Sequence, residues 1–112
     1  MKKVEAIIQP FKLDEVKKAL TGAGIEGLTV FFFFCFGQEK AMAEAYRGTM
    51  HVQALPRFKI ETLVDDYKAP QIVEVIKRAA RTGHVGDGKI FVLAVDEVVR
   101  IRTGERGSLA IR

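Results

Sequence analysis

Gly27-Leu28-Thr29-Val30-Phe31-Phe32-Phe33-Phe34-Cys35-Phe36 is the stretch that decides how this chain can fold. Read as a strand, it sends Phe31, Phe33 and Cys35 to one side and Phe32, Phe34 and Phe36 to the other, so both faces need cover. One layer of helices covers one face only. With 112 residues the chain is a single domain, 1–112, and has no length for a second helical layer. Left open to water, such a run is an aggregation hazard. Packing of sheet against sheet between copies of the chain covers it economically; the plainer alternative is a central strand in a large core.

Ahead of this strand, Val4 to Ile8 is short, apolar and partly β-branched, and reads as a first strand closed by Pro10. Leu13, Val16, Leu20 and Ala23 then recur at helical spacing, with Asp14 and Glu15 early and Lys17 and Lys18 later, and Gly22 and Gly24 supply the stop. Beyond Phe36 the periodicity collapses. A loop of about 37–55 is long for so small a domain, which marks it as functional or else as an inert insertion. Pro56 is expected to end it, and Phe58 to Val64 to form a third strand. Pro70 suits the first turn of a second helix with Ile72, Val75, Ile76 and Ala79 on its buried stripe. Ile90 to Val95 is a fourth strand, continued by Val98 to Arg102. The order βαββαβ predicts an α+β, ferredoxin-like sandwich with one sheet face bare of helices and a long loop between strands 2 and 3.

Composition narrows the function. Hydrophobic residues at 48% and charged ones at 29% suit a folded soluble chain rather than a disordered one. The net charge of +4 is spread among 14 acidic residues, without tryptophan or a recognition-helix or zinc signature, so no nucleic-acid partner is expected. Cys35 is the single cysteine, Gln9 and Pro10 interrupt any secretory lead, and no apolar stretch nears the roughly 20 residues that span a bilayer; a cytoplasmic location without membrane insertion is the expectation.

The sharpest local motif is Thr82-Gly83-His84-Val85-Gly86-Asp87-Gly88-Lys89. Three glycines let backbone N–H groups converge on an anion, with Lys89 adding a point charge; the bland alternative is a glycine-rich turn with a solvated lysine. Although Gly83 to Lys89 matches the core of a P-loop, Ile90 stands where magnesium needs Ser or Thr, and a helix precedes the loop where a strand should. Arg100 and Arg102, two apart in an extended segment, would project to one side about 7 Å apart and repel by roughly 0.6 kcal/mol in water. An anion between them relieves this, as does pairing with Asp96, Glu97 or Glu105. His51 and His84 lack metal-ligand spacing, Cys35 reads as a small core residue, and no base and nucleophile stand at catalytic spacing, so the expectation is not an enzyme.

These residues resemble the PII signal-transduction family over nearly the whole chain. The likeness is most specific from Arg81 to Arg106, RTGHVGDGKIFVLAVDEVVRIRTGER, and extends to the opening MKKVEAIIQPFKLDEVKKAL and to FGQEK followed by AYRG. The resemblance implies a homotrimer that binds adenine nucleotides, ATP or ADP, in clefts between subunits, and a long loop that docks onto a target transporter or enzyme, with nitrogen regulation as the setting. By motif position, Gly86, Asp87, Gly88 and Lys89 would cradle the phosphates, with Arg100 and Arg102 reaching from a neighbouring subunit. Ile7, Gly27, Leu28, Thr29, Glu61 and Leu63 would line the adenine and ribose pocket, and Phe36, Gly37 and Gln38 the base of the loop. Lys40, Tyr46, Arg47 and His51 would belong to the partner-binding loop.

The sequence departs from the family pattern at several points. Glu39 stands where a glutamine helps hold magnesium and 2-oxoglutarate; a glutamate can still ligate Mg2+, but it adds negative charge beside a dianion. Arg57 stands where lysine is expected in the nucleotide site, a planar donor of different geometry. Both weigh against 2-oxoglutarate as effector. The loop is about one residue short and its tip, Thr49-Met50-His51-Val52, has no tyrosine to modify. With the apolar Phe31–Phe34 run, these departures point to a divergent branch whose target is a transporter or an enzyme outside nitrogen assimilation. The alternatives are a related sensor of another small anion such as bicarbonate, with ADP or AMP as co-ligand, and a weak ATPase.

Overall fold

The computed structural model describes residues 1–37 and 53–111. Four strands, β1 (Lys2–Ile8), β2 (Thr29–Gly37), β3 (Gln53–Val64) and β4 (Lys89–Ala94), form one sheet in the order β2-β3-β1-β4. Every neighbouring pair is antiparallel. Helices α1 (Leu13–Gly22) and α2 (Ala69–Ala80) fill the two crossovers, each entered through a one-turn 3-10 segment, and a short α3 (Ser108–Ile111) follows β4. This is the ferredoxin-like βαββαβ order expected of the sequence.

The period of two along β1 sends Val4, Ala6 and Ile8 toward the helices, where all three are buried, and pairing sets Ile60, Thr62 and Val64 of β3 beside them. Val16 and Leu20 of α1 and Ala69, Ile72, Ile76 and Ala80 of α2 repeat at three- and four-residue spacing and close the same core. Pro70 takes its place in the first turn of α2, where no intrahelical N–H is missed.

Among the described residues, the opposite face carries no helix. At its centre Lys3, Glu5, Lys59 and Glu61 form a network across β1 and β3: the Lys3 ammonium lies 2.8 Å from Glu5 and 3.7 Å from Glu61, and Lys59 lies 3.5 Å from Glu61. The hydrogen bond from Lys3 holds the Glu5 carboxyl below its ordinary range. Aromatic side chains flank the network, with Lys59 5.0 Å from the ring centre of Phe31.

Both edges of the sheet are apolar and open. Phe31 is 43% exposed on the bare face, while Phe32, at 56%, and Phe36, at 74%, lie on the other face beyond the helices. Phe32 stacks edge-on against Phe34 and Phe58. On the far edge, Phe91, Val92 and Leu93 are likewise open. Among the described residues, the two-sided phenylalanine strand thus lacks full cover.

Three boundaries differ from those read off the sequence. The loop expected over about 37–55 is shorter, because β2 runs to Gly37 and β3 starts at Gln53. Pro56 lies inside β3, paired with Phe34. It sits past the last β1 pair, Ile8↔Phe58, where only β2 borders the strand and a missing N–H costs little. The strand expected over Val98 to Arg102 is instead a turn, held by Gly104 N–H donating to the Arg100 carbonyl, Arg100 N–H donating to the Glu105 carbonyl and a Val99↔Arg106 bridge.

Candidate functional site

At the C-terminal end of β1, the loop between α2 and β4 folds over the sheet. Gly83, Gly86 and Gly88 have φ of 85°, 100° and 101°, the left-handed region that glycine enters without a steric cost. At Gly88 the need is absolute: a Cβ would stand 1.7 Å from the Ile7 carbonyl oxygen. The Asp87 carboxylate closes the loop from inside. It accepts the N–H groups of Thr82 and Gly83, each at 2.9 Å, and a short hydrogen bond from the Thr82 hydroxyl. These donors, the Thr82 hydroxyl first, hold the carboxyl below the usual aspartate range. The His84 N–H is taken by the Thr82 hydroxyl oxygen at 3.2 Å.

Thr82, Gly83 and His84 are satisfied in this way and a tight turn over Val85–Gly86 directs the Asp87 N–H at the His84 carbonyl, while the N–H groups of Gly86 and Gly88 donate to no partner among the described residues. Lys89 follows at once as the first residue of β4, opposite Ile7 and exposed. Unspent glycine amides beside an ammonium are an arrangement that can receive an anion. Gly88 and Lys89 also border a cavity of about 240 Å³ with Ile7, Ile76 and Arg81. Arg57 reaches the same loop from β3. Its side chain is only 8% exposed, with Nη1 donating to the Pro56 carbonyl at 2.7 Å and Nη2 3.3 Å from where a Gly86 Cβ would lie.

Gly27, Leu28, Thr29, Glu61 and Leu63 gather elsewhere, in a cleft of about 760 Å³ beside Lys3, at the other end of β1. Thr62 fixes that cleft's rim by donating to the Gly27 carbonyl at 2.8 Å. Ile111 of α3 forms part of its wall, and Ser108 ties α3 to Asp65 at 2.6 Å. Lys3 and Ile7 are four residues apart in β1, so roughly 13 Å separates the two groups along the strand. The expected site residues therefore form two sets, and one chain does not bring them together.

Arg100 and Arg102 do not form the same-side pair expected of them, because the backbone turns between them. The Arg100 guanidinium is engaged within the chain: Nη1 lies 2.7 Å from Glu105, and Nη2 donates to the Leu109 carbonyl at 3.1 Å. Of the two explanations left open by the sequence, pairing with Glu105 is the one realised here. Arg102 is exposed on the turn. Phe36 and Gly37 end β2, while Gln38, Glu39, Lys40, Tyr46, Arg47 and His51 lie outside the described residues. Among those described, no group of His, Cys, Asp and Glu is arranged to hold a metal.

Sequence reasoning passed over two residues that hold the loop. Thr82 stands inside the quoted motif, five residues before Asp87, and that spacing across a glycine could have suggested the turn it closes. Gln9 donates to the Gly86 carbonyl at 2.8 Å from 77 residues away, and no local signal announces it.

The topology and the α2–β4 glycine loop define the class: a ferredoxin-like α+β domain with a glycine-rich loop at the end of β1. The chain belongs to the P-II family, since the family model described as Nitrogen regulatory protein P-II matches residues 1–105. It is 54% identical to the Nitrogen regulatory protein P-II of Rhodospirillum rubrum, and 55% identical to those of Azospirillum brasilense and a Synechocystis strain. Each match covers 99% of this chain and 100% of the relative. The family frame is that of a regulatory signal-transduction protein.

Proposed function

We propose that this P-II protein senses adenine nucleotides as a homotrimer and passes their identity to a target transporter or enzyme through the segment between β2 and β3. One observation carries the reading. Unspent amides and Lys89 lie at one end of β1 and the larger cleft at the other, as they would if one subunit supplied the phosphate half of each site and its neighbour the adenine half. The uncovered aromatic strand supports the same assembly. Arg100 and Arg102 then approach from the neighbour's side. A guanidinium has five N–H donors, so Arg100 can keep Glu105 and still reach a phosphate. For the protein to switch, ATP and ADP must favour different states of the docking segment.

Calorimetry of the purified chain with ATP, ADP and AMP, each with Mg2+ and with or without 2-oxoglutarate or bicarbonate, tests this. Saturable adenylate binding is expected, weakened roughly 10- to 100-fold by Lys89→Ala, as for the loss of a charged hydrogen bond. Absence of heat with every adenylate at millimolar concentration would reject the reading. A requirement for bicarbonate would redirect it to that anion, and Lys89-dependent ATP turnover well above background to an enzyme.

A further inference from the structure

We propose that Ser108 is a positioning residue for the large cleft, seating α3 so that Ile111 closes one wall against the base of the bound nucleotide. The inference rests on the reading of that cleft as the adenine half of the site. A helix of four residues cannot hold itself in water, where far longer ones are marginal, so contacts with the rest of the chain decide where α3 lies. Two of these lead back to the preceding turn: the Gly107 N–H donates to the Val98 carbonyl at 3.0 Å, and Arg100 Nη2 to the Leu109 carbonyl at 3.1 Å. Among the described residues, only the Ser108 hydroxyl carries a hydrogen bond from α3 to the end of the sheet, reaching Asp65 at 2.6 Å across 43 residues.

Asp65 is a fixed post for that bond. It follows β3 directly, lines the cleft and opens the 3-10 turn Asp66–Lys68, whose Lys68 N–H donates to the Asp65 carbonyl at 3.0 Å. An aspartate in this N-cap position ordinarily spends its carboxylate on the N–H groups of its own helix. Here it makes no such bond, and Oδ1 accepts the Ser108 hydroxyl instead. Ile111, three residues beyond Ser108 and so on the same side of α3, joins the lining of the cleft. Without the hydroxyl, α3 stays joined to the turn that holds Arg100 but loses its anchor beside Leu63 and Asp65, and the wall moves away from the base. Ser108 thus acts on the ligand through Ile111 and need not touch it.

The test compares the full-length parent with Ser108→Ala, which lacks the donor, Ser108→Thr, which keeps it, and Ser108→Asp, which sets a carboxylate against Asp65. The Ile111 methyl resonances are recorded without ligand, and ADP affinity is measured by calorimetry. Ser108→Ala is expected to move the Ile111 signals and to weaken ADP binding about tenfold, Ser108→Asp to do both at least as strongly, and Ser108→Thr to return both toward the parent. Unmoved Ile111 signals in Ser108→Ala overturn the seating whatever the affinity does. Parent-like ADP affinity in Ser108→Ala and Ser108→Asp overturns it too, as does failure of Ser108→Thr to restore either quantity. If the parent binds no ADP yet the Ile111 signals move in Ser108→Ala and return in Ser108→Thr, the seating stands and the nucleotide reading falls. Should Ser108→Ala fail to fold, Ser108→Asp set against Ser108→Thr carries the same comparison.

Discussion

Single residues hold the loop in shape, and two of them make measurable claims. Gly88 lies so close to β1 that any side chain must lift the loop from the strand. Gly88→Ala should therefore cost on the order of 3 kcal/mol in urea denaturation and abolish adenylate binding; parent-like stability would contradict the loop geometry. Asp87 staples the loop by charge. Because its native pKa is depressed by Thr82 and Gly83, the stability it contributes is fully present above the ordinary aspartate value of about 3.9 and is lost as pH falls through the lower native value. Thermal melts should show the parent more stable than Asp87→Ala at neutral pH, with the gap closing below about pH 4. A gap independent of pH would assign Asp87 a role other than accepting these hydrogen bonds as an anion.

Among the elements, β2 and β4 stand out as edges with apolar residues on both faces, in contrast to β1 and β3, whose helix-facing residues are buried. The bare face between these edges is neither wholly apolar nor wholly charged. Its centre is a paired network of Lys3, Glu5, Lys59 and Glu61, and its flanks carry Phe31, Phe91 and Leu93. Matched charges ringed by apolar side chains suit a surface buried on assembly, since unpaired ions would have to be desolvated there at a cost of several kcal/mol each. Leu93 pairs with Lys3. Leu93→Glu should accordingly be tolerated in the isolated domain, where Lys3 can answer it, but should dissociate the oligomer. Light scattering should report the parent as a trimer and this variant as a monomer with an unchanged circular dichroism spectrum; an intact trimer would exclude the bare face as the interface.

At the scale of the whole molecule, the two halves of the candidate site lie at opposite ends of one strand, so the proposed function requires assembly. On that proposal a monomer retains the glycine loop, Lys89 and the large cleft but does not set them against the same ligand. The Leu93→Glu monomer should for that reason bind ADP roughly a hundredfold more weakly than the parent, having lost several polar contacts at once. Parent-like affinity in a verified monomer would mean that a single chain holds the nucleotide unaided.

Much of this protein was legible in one dimension because the signals are short-ranged. Alternation along Val4–Ile8 and Phe58–Val64, helical spacing from Leu13 and from Ile72, and the spaced glycines before Lys89 are rules about residues a few positions apart, and the element order and the loop follow from them. Contacts between distant segments have no such rule. The Gln9 amide reaches Gly86 across 77 residues, Pro56 is accommodated because β1 happens to end at Ile8, and Val98–Arg102 bends because Arg100 finds Glu105 and Leu109. Periodicity and turn chemistry are local properties of the chain, whereas register, edge position and which donors remain unspent exist only after the sheet has closed.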